Sequence, residues 1–327
     1  MFAEAIASIL KTHLPAATRA AEAGEGAADL RDALASAGFF ELLAAEDDGG
    51  AALEMHELFP IVALCGAYAV PLPLAQTIAA RLLVAQHAAL PDGAITFAPG
   101  LSEADGRIEC SLVPFALTAD HVLASNGGEL LLLPAAQAHR EASGVRGSLT
   151  ASLAWDSDQG TALAPAAGNI DLQALGAVLH AGMIAGAAKR VFDMSLQYGN
   201  ERTQFGKTIG KFQAIQHQLS VMAEHVAAAS IAAEAAFQCG RRLPSVAASA
   251  VAKSRTSEAA QLVASIAHAV HGAIGVTEEY DLQLYTRRLH EWRTAHGSES
   301  YWNLWLGRQV LESKQPLVSD YVRGVTG

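Results

Sequence analysis

Between Tyr198 and His217 the chain reads Tyr-Gly-Asn-Glu-Arg-Thr-Gln-Phe-Gly-Lys-Thr-Ile-Gly-Lys-Phe-Gln-Ala-Ile-Gln-His, and these residue types could bind an anion. The pattern predicts that one helix ends near Asn200 and another begins near Phe212. The loop between them holds Gly206 and Gly210 and presents Arg202, Gln204 and Lys207. Arginine offers a planar fork suited to a pyrophosphate, and free N–H groups at a helix start add to it. An ordinary interhelical loop with a solvated arginine fits the same residues equally well. Gly206-Lys207-Thr208 resembles the end of a P-loop, but the earlier glycine position holds Glu201 and the preceding element is helical, so that reading is rejected. There is no Gly-x-Gly-x-x-Gly, His-Glu-x-x-His, Glu-x-x-His or Gly-x-Ser-x-Gly. A zinc protease, a di-iron bundle and a hydrolase elbow are therefore disfavoured. His290-Glu291-Trp292-Arg293, with Trp302 and Trp305, lies at helical spacing and reads as a packed bundle face rather than as cofactor stacking.

The elements that must position these residues fall in a simple order. Roughly the first 90 residues show Ala-rich helical spacing, broken at Glu46-Asp47-Asp48-Gly49-Gly50 and Pro71-Leu72-Pro73. From Ala94 to Trp155 short segments follow, bounded by turn residues: Ala94–Ala98, Ile108–Leu112, His121–Ala124, Glu129–Leu133 and Ser148–Trp155. Ser125-Asn126-Gly127-Gly128 is a hairpin signal between two of them. After a linker near Pro165–Gly168, Asp171 is a candidate N-cap for a helix to about Asn200. Further helices are expected over Phe212–Arg241 and Ser245–Gly272. The fold class is mainly α with a small β domain: an N-terminal helical domain (1–92), a middle antiparallel β domain (93–165) and a C-terminal four-helix-bundle-like domain (166–327).

The chain has 327 residues, enough for a large core and two or three domains. A net charge of −11 argues against general nucleic-acid binding, though clusters such as Arg287–Arg288 and Lys207–Lys211 could still meet phosphates. No uninterrupted apolar run of the roughly 18 residues a span needs is evident, nor a signal peptide. The three cysteines, Cys65, Cys110 and Cys239, give neither a disulfide framework nor a metal site, and a cytoplasmic location is expected.

Arg202-Thr203-Gln204-Phe205-Gly206 followed by Phe212-Gln213 resembles the signature of acyl-CoA dehydrogenases. So does His271-Gly272-Ala273-Ile274-Gly275-Val276-Thr277 with Tyr280-Asp281-Leu282 and Tyr285-Thr286-Arg287-Arg288. Ala37-Gly38-Phe39-Phe40-Glu41-Leu42 through Gly49-Gly50 is similar to the family's N-terminal domain. The resemblance implies FAD as cofactor. Its contacts would be Arg202, Thr203, Gln204, Phe205, Phe212, Gln213, His271, Gly272 and Gly275, with the first motif often reaching across a subunit interface. It implies α,β-dehydrogenation of an acyl-CoA to the 2-enoyl-CoA, with electrons passed to an electron-transfer flavoprotein, in a homo- or hetero-oligomer. The chain departs from the pattern at Ala269 (usually Gln) and Ala273 (usually Gly). Its β domain has only Val113-Pro114-Phe115-Ala116 as a counterpart of the flavin-facing strand.

Family chemistry needs a carboxylate to take the α-proton. Ungapped counts place its two usual positions on His296, followed by Gly297, and on Gly176 beside Ala177. Three explanations stay open at this point. His296 could be the base, since a neutral imidazole accepts a proton near pH 7. Glu299 or Glu291 could serve through a shifted loop. Or the chain is a non-catalytic partner subunit, as in the mixed two-plus-two tetramers among short family members. A helical protein without flavin is the remaining alternative.

Overall fold

The computed structural model describes residues 2–86, 90–126, 128–166, 170–238, 242–313, 315 and 317–326. Gly127, Gly168, Cys239 and Arg241, named above in a hairpin, a linker, a cysteine count and a helix end, lie outside them.

Five helices come first: α1 (Phe2–His13), α2 (Ala16–Glu22), α3 (Ala28–Ser36), α4 (Met55–Ala67) and α5 (Leu74–Ala80). Glu54 and Glu57 close α4 at its start as a reciprocal capping box, each side chain accepting from the other's end of the turn.

The strands then build two four-stranded sheets. One has the order β1 (Ile95–Phe97), β4 (His121–Asn126), β5 (Glu129–Pro134), β8 (Thr161–Leu163). The other runs β2 (Ser102–Ala104), β3 (Arg107–Val113), β7 (Ala151–Asp156), β6 (His139–Ala142). The β4–β5 hairpin stands where the Asn-Gly signal put it, with Asn126 opposite Glu129. All pairings are antiparallel except β1 with β4. Ile108, Cys110, Val122, Leu133, Leu153 and Trp155 form a buried cluster fed by both sheets. β2, β6 and β8 escaped the sequence reading because their side chains are mostly exposed and carry no apolar alternation.

The C-terminal part is α6 (Leu172–Glu201), α7 (Gln213–Phe237), α8 (Val246–His271), α9 (Leu282–Thr294), α10 (Glu299–Glu312) and α11 (Val318–Thr326). Asp171 caps α6 by accepting from the Ala174 N–H at 2.9 Å, and Ser245 caps α8 through the Ala248 N–H at 3.1 Å. α6 is buried along most of its first five turns because it lies against α4, α7, α8 and α9. Small residues make that possible. A β-carbon on Gly66 would strike the Met183 carbonyl, and one on Gly186 would strike the Ala63 carbonyl, so α4 and α6 meet backbone to backbone. By length and composition alone Val246–Val276 could cross a membrane. In the fold it is an inner element of the bundle, packed on α6, α7, α9 and α10, and it carries Lys253 fully buried.

Candidate active site

α6 presents Gly176 and, one turn later, His180 to the turn between α9 and α10, where His296 stands. His296 adopts a left-handed φ of 52° and Gly297 one of 93°. The turn is held from three sides. Trp302 Nε1 donates to the His296 carbonyl at 2.9 Å, Lys253 Nζ donates to the Gly297 carbonyl at 2.9 Å, and the same ammonium donates to the Arg293 carbonyl at 2.7 Å. These contacts aim the His296 ring inward, onto α6. A β-carbon at Gly176 would collide with Cε1, Nδ1 and Cγ of that ring. The two positions picked out by family counting are thus neighbours in space, and the ring of one fills the room left by the other.

The surroundings of His296 are apolar and aromatic. Its ring centroid lies 5.1 Å from that of His180; Phe115 lies 6.2 Å from His180 and 6.4 Å from Trp292. His180 Nδ1–H donates to the Gly176 carbonyl at 2.8 Å, leaving Nε2 without a partner. His296 is 1% exposed, and neither of its ring nitrogens makes an ordinary hydrogen bond, although the Phe97 backbone is near enough to favour protonation somewhat. Burial, then Lys253, pushes His180 down to about 3. Burial, then His180 and Lys253, holds His296 well below the usual histidine range. Burial also pushes Lys253 down to about 7, against the pull of Glu299. Both imidazoles are therefore neutral at pH 7. Phe115 lies here with a left-handed φ of 57°, while its neighbours Val113 and Ala116 pack into the core of the β region.

The two acids considered as bases are engaged elsewhere. One oxygen of Glu291 accepts from Ser148 Oγ (2.7 Å), Leu149 N (2.9 Å) and Thr150 Oγ1 (2.8 Å); the other pairs with Arg288. Arg288 in turn donates to Glu22 at 2.7 Å and to the Gly147 carbonyl. Glu291 is thus the peg that fastens the loop before β7 to α9. Glu299, in the first turn of α10, takes both Nε (3.0 Å) and a terminal nitrogen of Arg293, which holds its carboxyl below the usual range. A cavity of about 760 Å³ opens beside them, with His296, Leu112, Val145, Arg287, His290 and Glu291 on its wall.

The glycine-bearing loop after α6 is a tight hairpin. β9 (Thr203–Gln204) pairs with β10 (Lys207–Thr208) across Phe205 and Gly206, both at positive φ (53° and 77°). Such a two-residue turn needs left-handed backbone at both central positions, which Gly206 grants freely and Phe205 does not. Phe205 is 90% exposed at the tip, and Lys207 Nζ sits 4.2 Å from the Phe212 ring centroid. The structure brings Arg202, Gln204, Phe205 and Phe212 together with His271 and Gly272 around an open cavity of about 510 Å³. Thr203 and Gln213 are exposed outside that cavity wall, and Gly275 is buried against Leu282 and His268. His271 stacks on Tyr198 at 4.5 Å and donates Nδ1–H to the Ala267 carbonyl, so its buried Nε2 is unpartnered.

His180, Lys253 and Tyr198 were not singled out as site residues from sequence. A lysine amid the alanines of α8 was the available signal, but nothing local says that its nitrogen meets carbonyls forty residues on.

Residues 173–311 match the family described as acyl-CoA dehydrogenase, C-terminal domain. The chain is 32% identical over 296 residues to the acyl-CoA dehydrogenase IpdE2 of Mycobacterium tuberculosis, covering 89% of this chain and 90% of that protein. It is 33% identical over 279 residues to the acyl-CoA dehydrogenase FadE34 of the same organism, covering 79% of this chain and 38% of the other. In structure it is similar to a chain of the ChsE4-ChsE5 complex from Mycobacterium tuberculosis (TM-score 0.81, 20% identity, 96% and 98% of the two chains). Butyryl-CoA dehydrogenase from Megasphaera elsdenii is also similar (TM-score 0.75, 18% identity, 95% and 97%). The chain belongs to the acyl-CoA dehydrogenase family of FAD-dependent oxidoreductases.

Proposed function

We propose that this chain is the non-catalytic subunit of a heteromeric acyl-CoA dehydrogenase, holding part of the FAD site while a partner subunit supplies the carboxylate that takes the α-proton. The observation that carries this is the meeting of Gly176 and His296. Neither family position bears an acid, and the His296 ring fills the space that any side chain at 176 would need. Glu291 and Glu299 are tied to Arg288 and Arg293, and His296 is a neutral, poorly basic imidazole.

The open cavity at the far end of α6 fits the dinucleotide arm of FAD. An exposed arginine for the pyrophosphate, aromatic faces at Phe205 and Phe212, and the positive-φ Gly272 converge there. Arg202, Gln204, Phe205, Phe212, His271 and Gly272 would hold it. Bound FAD would accept the β-hydrogen as hydride, and the electrons would then pass to an electron-transfer flavoprotein. Gly176 and Arg202 are 26 positions apart along α6 and its C-cap, a rise of about 39 Å at 1.5 Å per residue. A cofactor gripped at Arg202 would therefore lie far from the Gly176–His296 pair of its own chain and would serve the reaction centre of another. The similarity to a chain from the two-component ChsE4-ChsE5 complex supports a mixed assembly.

A second reading keeps one observation in its favour. His296 lies on the cavity wall with unpartnered nitrogens, the position of a base in a homomeric dehydrogenase. Anaerobic titration of the purified, FAD-supplemented chain with acyl-CoAs of varied length separates the two. The subunit reading expects no bleaching of the oxidised-flavin band until the partner is added. Bleaching by the chain alone overturns it.

A further inference from the structure

Helix α10 is apolar on two sides, and among the described residues the fold covers only one of them. The inner side carries Trp302, buried, with Trp305 and Leu306 beside it, packed on Ala174 and Ala177 of α6 and Ala250 of α8. The outer side carries Tyr301, Leu304 and Leu311, and the two leucines are 65% and 87% exposed. With Arg308 they follow a three-four-three spacing, which sets all four in one narrow seam along the helix. Next to Arg308 stands Gly307, where an added β-carbon would meet nothing within 4 Å. A glycine inside an exposed helix costs stability relative to alanine, but it permits close approach of a second backbone. A helix that is apolar all round is ordinarily buried all round, and neighbouring exposed leucines mark a contact surface. This surface lies away from the cofactor cavity: α10 packs on α8 and on the start of α6, whereas Arg202 lies beyond the end of α6.

The seam is complementary to itself, which identifies its occupant. Turned end over end about a point between Gly307 and Arg308, it sets Leu304 opposite Leu311 of a second copy and Leu311 opposite that copy's Leu304. The stem of Arg308 then crosses the room left by the other Gly307. Side chains on a helix lean toward its N-terminus, so the Arg308 guanidinium reaches the level of Glu312 on the second copy. Arg308 and Glu312 are both exposed, and among the described residues neither has an ion-pair partner in its own chain. We propose that α10 is the contact between two copies of this chain, packed antiparallel across a two-fold axis. The axis makes each contact twice, so two leucine pairs and two Arg308–Glu312 pairs form together. The pairing stands whether or not the chain takes an α-proton. It adds to the cofactor-sharing contact a second one, through which two such units join by their like chains.

Sedimentation equilibrium of the intact chain at micromolar concentration tests it. The wild type is expected to be a dimer. Leu304→Glu should be a monomer with an unchanged thermal midpoint, because that side chain is exposed within one chain. Arg308→Glu should weaken the dimer about a hundredfold, tenfold for each of the two pairs turned into like charges. Arg308→Glu combined with Glu312→Arg should regain most of the affinity. Should a charge variant fail to fold, a cross-link decides. Leu304→Cys chains mixed with Leu311→Cys chains should form a disulfide between the introduced cysteines. Leu304→Cys chains alone should not, since their sulfurs lie about 10 Å apart along the helix axis. A monomeric wild type, which leaves the face to the partner subunit, overturns the proposal. So does a dimer that survives Leu304→Glu, a charge swap that restores nothing, or a cross-link between Leu304→Cys chains alone. Flavin bleaching by the chain alone would end the subunit reading without altering any of these masses.

Discussion

At the scale of single residues, Gly176 and His296 form a coupled pair whose energetics can be measured. Gly176→Ala forces the new methyl into the imidazole, an overpacking that costs about 1–3 kcal/mol of stability. In a His296→Ala background the methyl has room, and the helix gains from alanine over glycine, so the same change should become neutral or stabilising. A urea-denaturation double-mutant cycle checks this; additive effects would mean the two side chains are not in contact. Lys253 offers a second test. Burial sets its folded pKa near 7, against about 10.5 for an unhindered lysine. Between those values the unfolded chain binds the proton that the folded chain lacks, so stability rises with pH there, by up to about 1.4 kcal/mol per unit. Below about pH 7 and above about 10.5 this contribution is flat. Lys253→Met should remove the rise, seen in unfolding midpoints taken across that window.

Among the elements, the loop between β6 and β7 is fastened to α9 through Glu291, which joins Ser148, Leu149 and Thr150 to Arg288. Arg288 has no exposed side-chain surface, so removing one of its two acid partners leaves its buried charge to Glu22 and the Gly147 carbonyl alone. Glu291→Gln is expected to cost about 1–3 kcal/mol. It should also speed hydrogen exchange at Leu149 and Thr150 more than in α7, which a map of exchange by segment would reveal. Uniform protection would show that the loop is held by other contacts. The same fastening occupies both oxygens of the one acid on the pocket wall that was a candidate base.

For the whole molecule, α6 separates two half-sites by its length, the His296 cluster at its start and the Arg202 hairpin beyond its end. Arg202→Ala should weaken FAD retention by about ten- to a hundredfold through loss of a charge-assisted contact, while leaving the unfolding midpoint unchanged because Arg202 is exposed. Fluorescence titration with FAD on the assembled complex reads the first, and thermal melting the second. Full flavin occupancy in the variant would remove Arg202 from the site.

What the sequence determined by itself was whatever depends on neighbours along the chain. Asp171 and Ser245 announced the starts of α6 and α8, the turn residues around Asn126 the pairing of β4 with β5, and the order of helices, strands and helices gave the layers. The Arg202 and His271 motifs could be placed in one cofactor site only through the likeness to a family, since 69 residues separate them; the fold then brought them to one cavity wall. Tertiary structure alone decided the candidate base. Whether Glu291 or His296 is free to take a proton depends on the loop before β7 and on α6 and α8, far off in sequence, whereas Glu299 is held by Arg293 six residues away. A carboxylate's identity is local, but its availability is set by what folds against it, and here the fold has paired both acids and buried the imidazole.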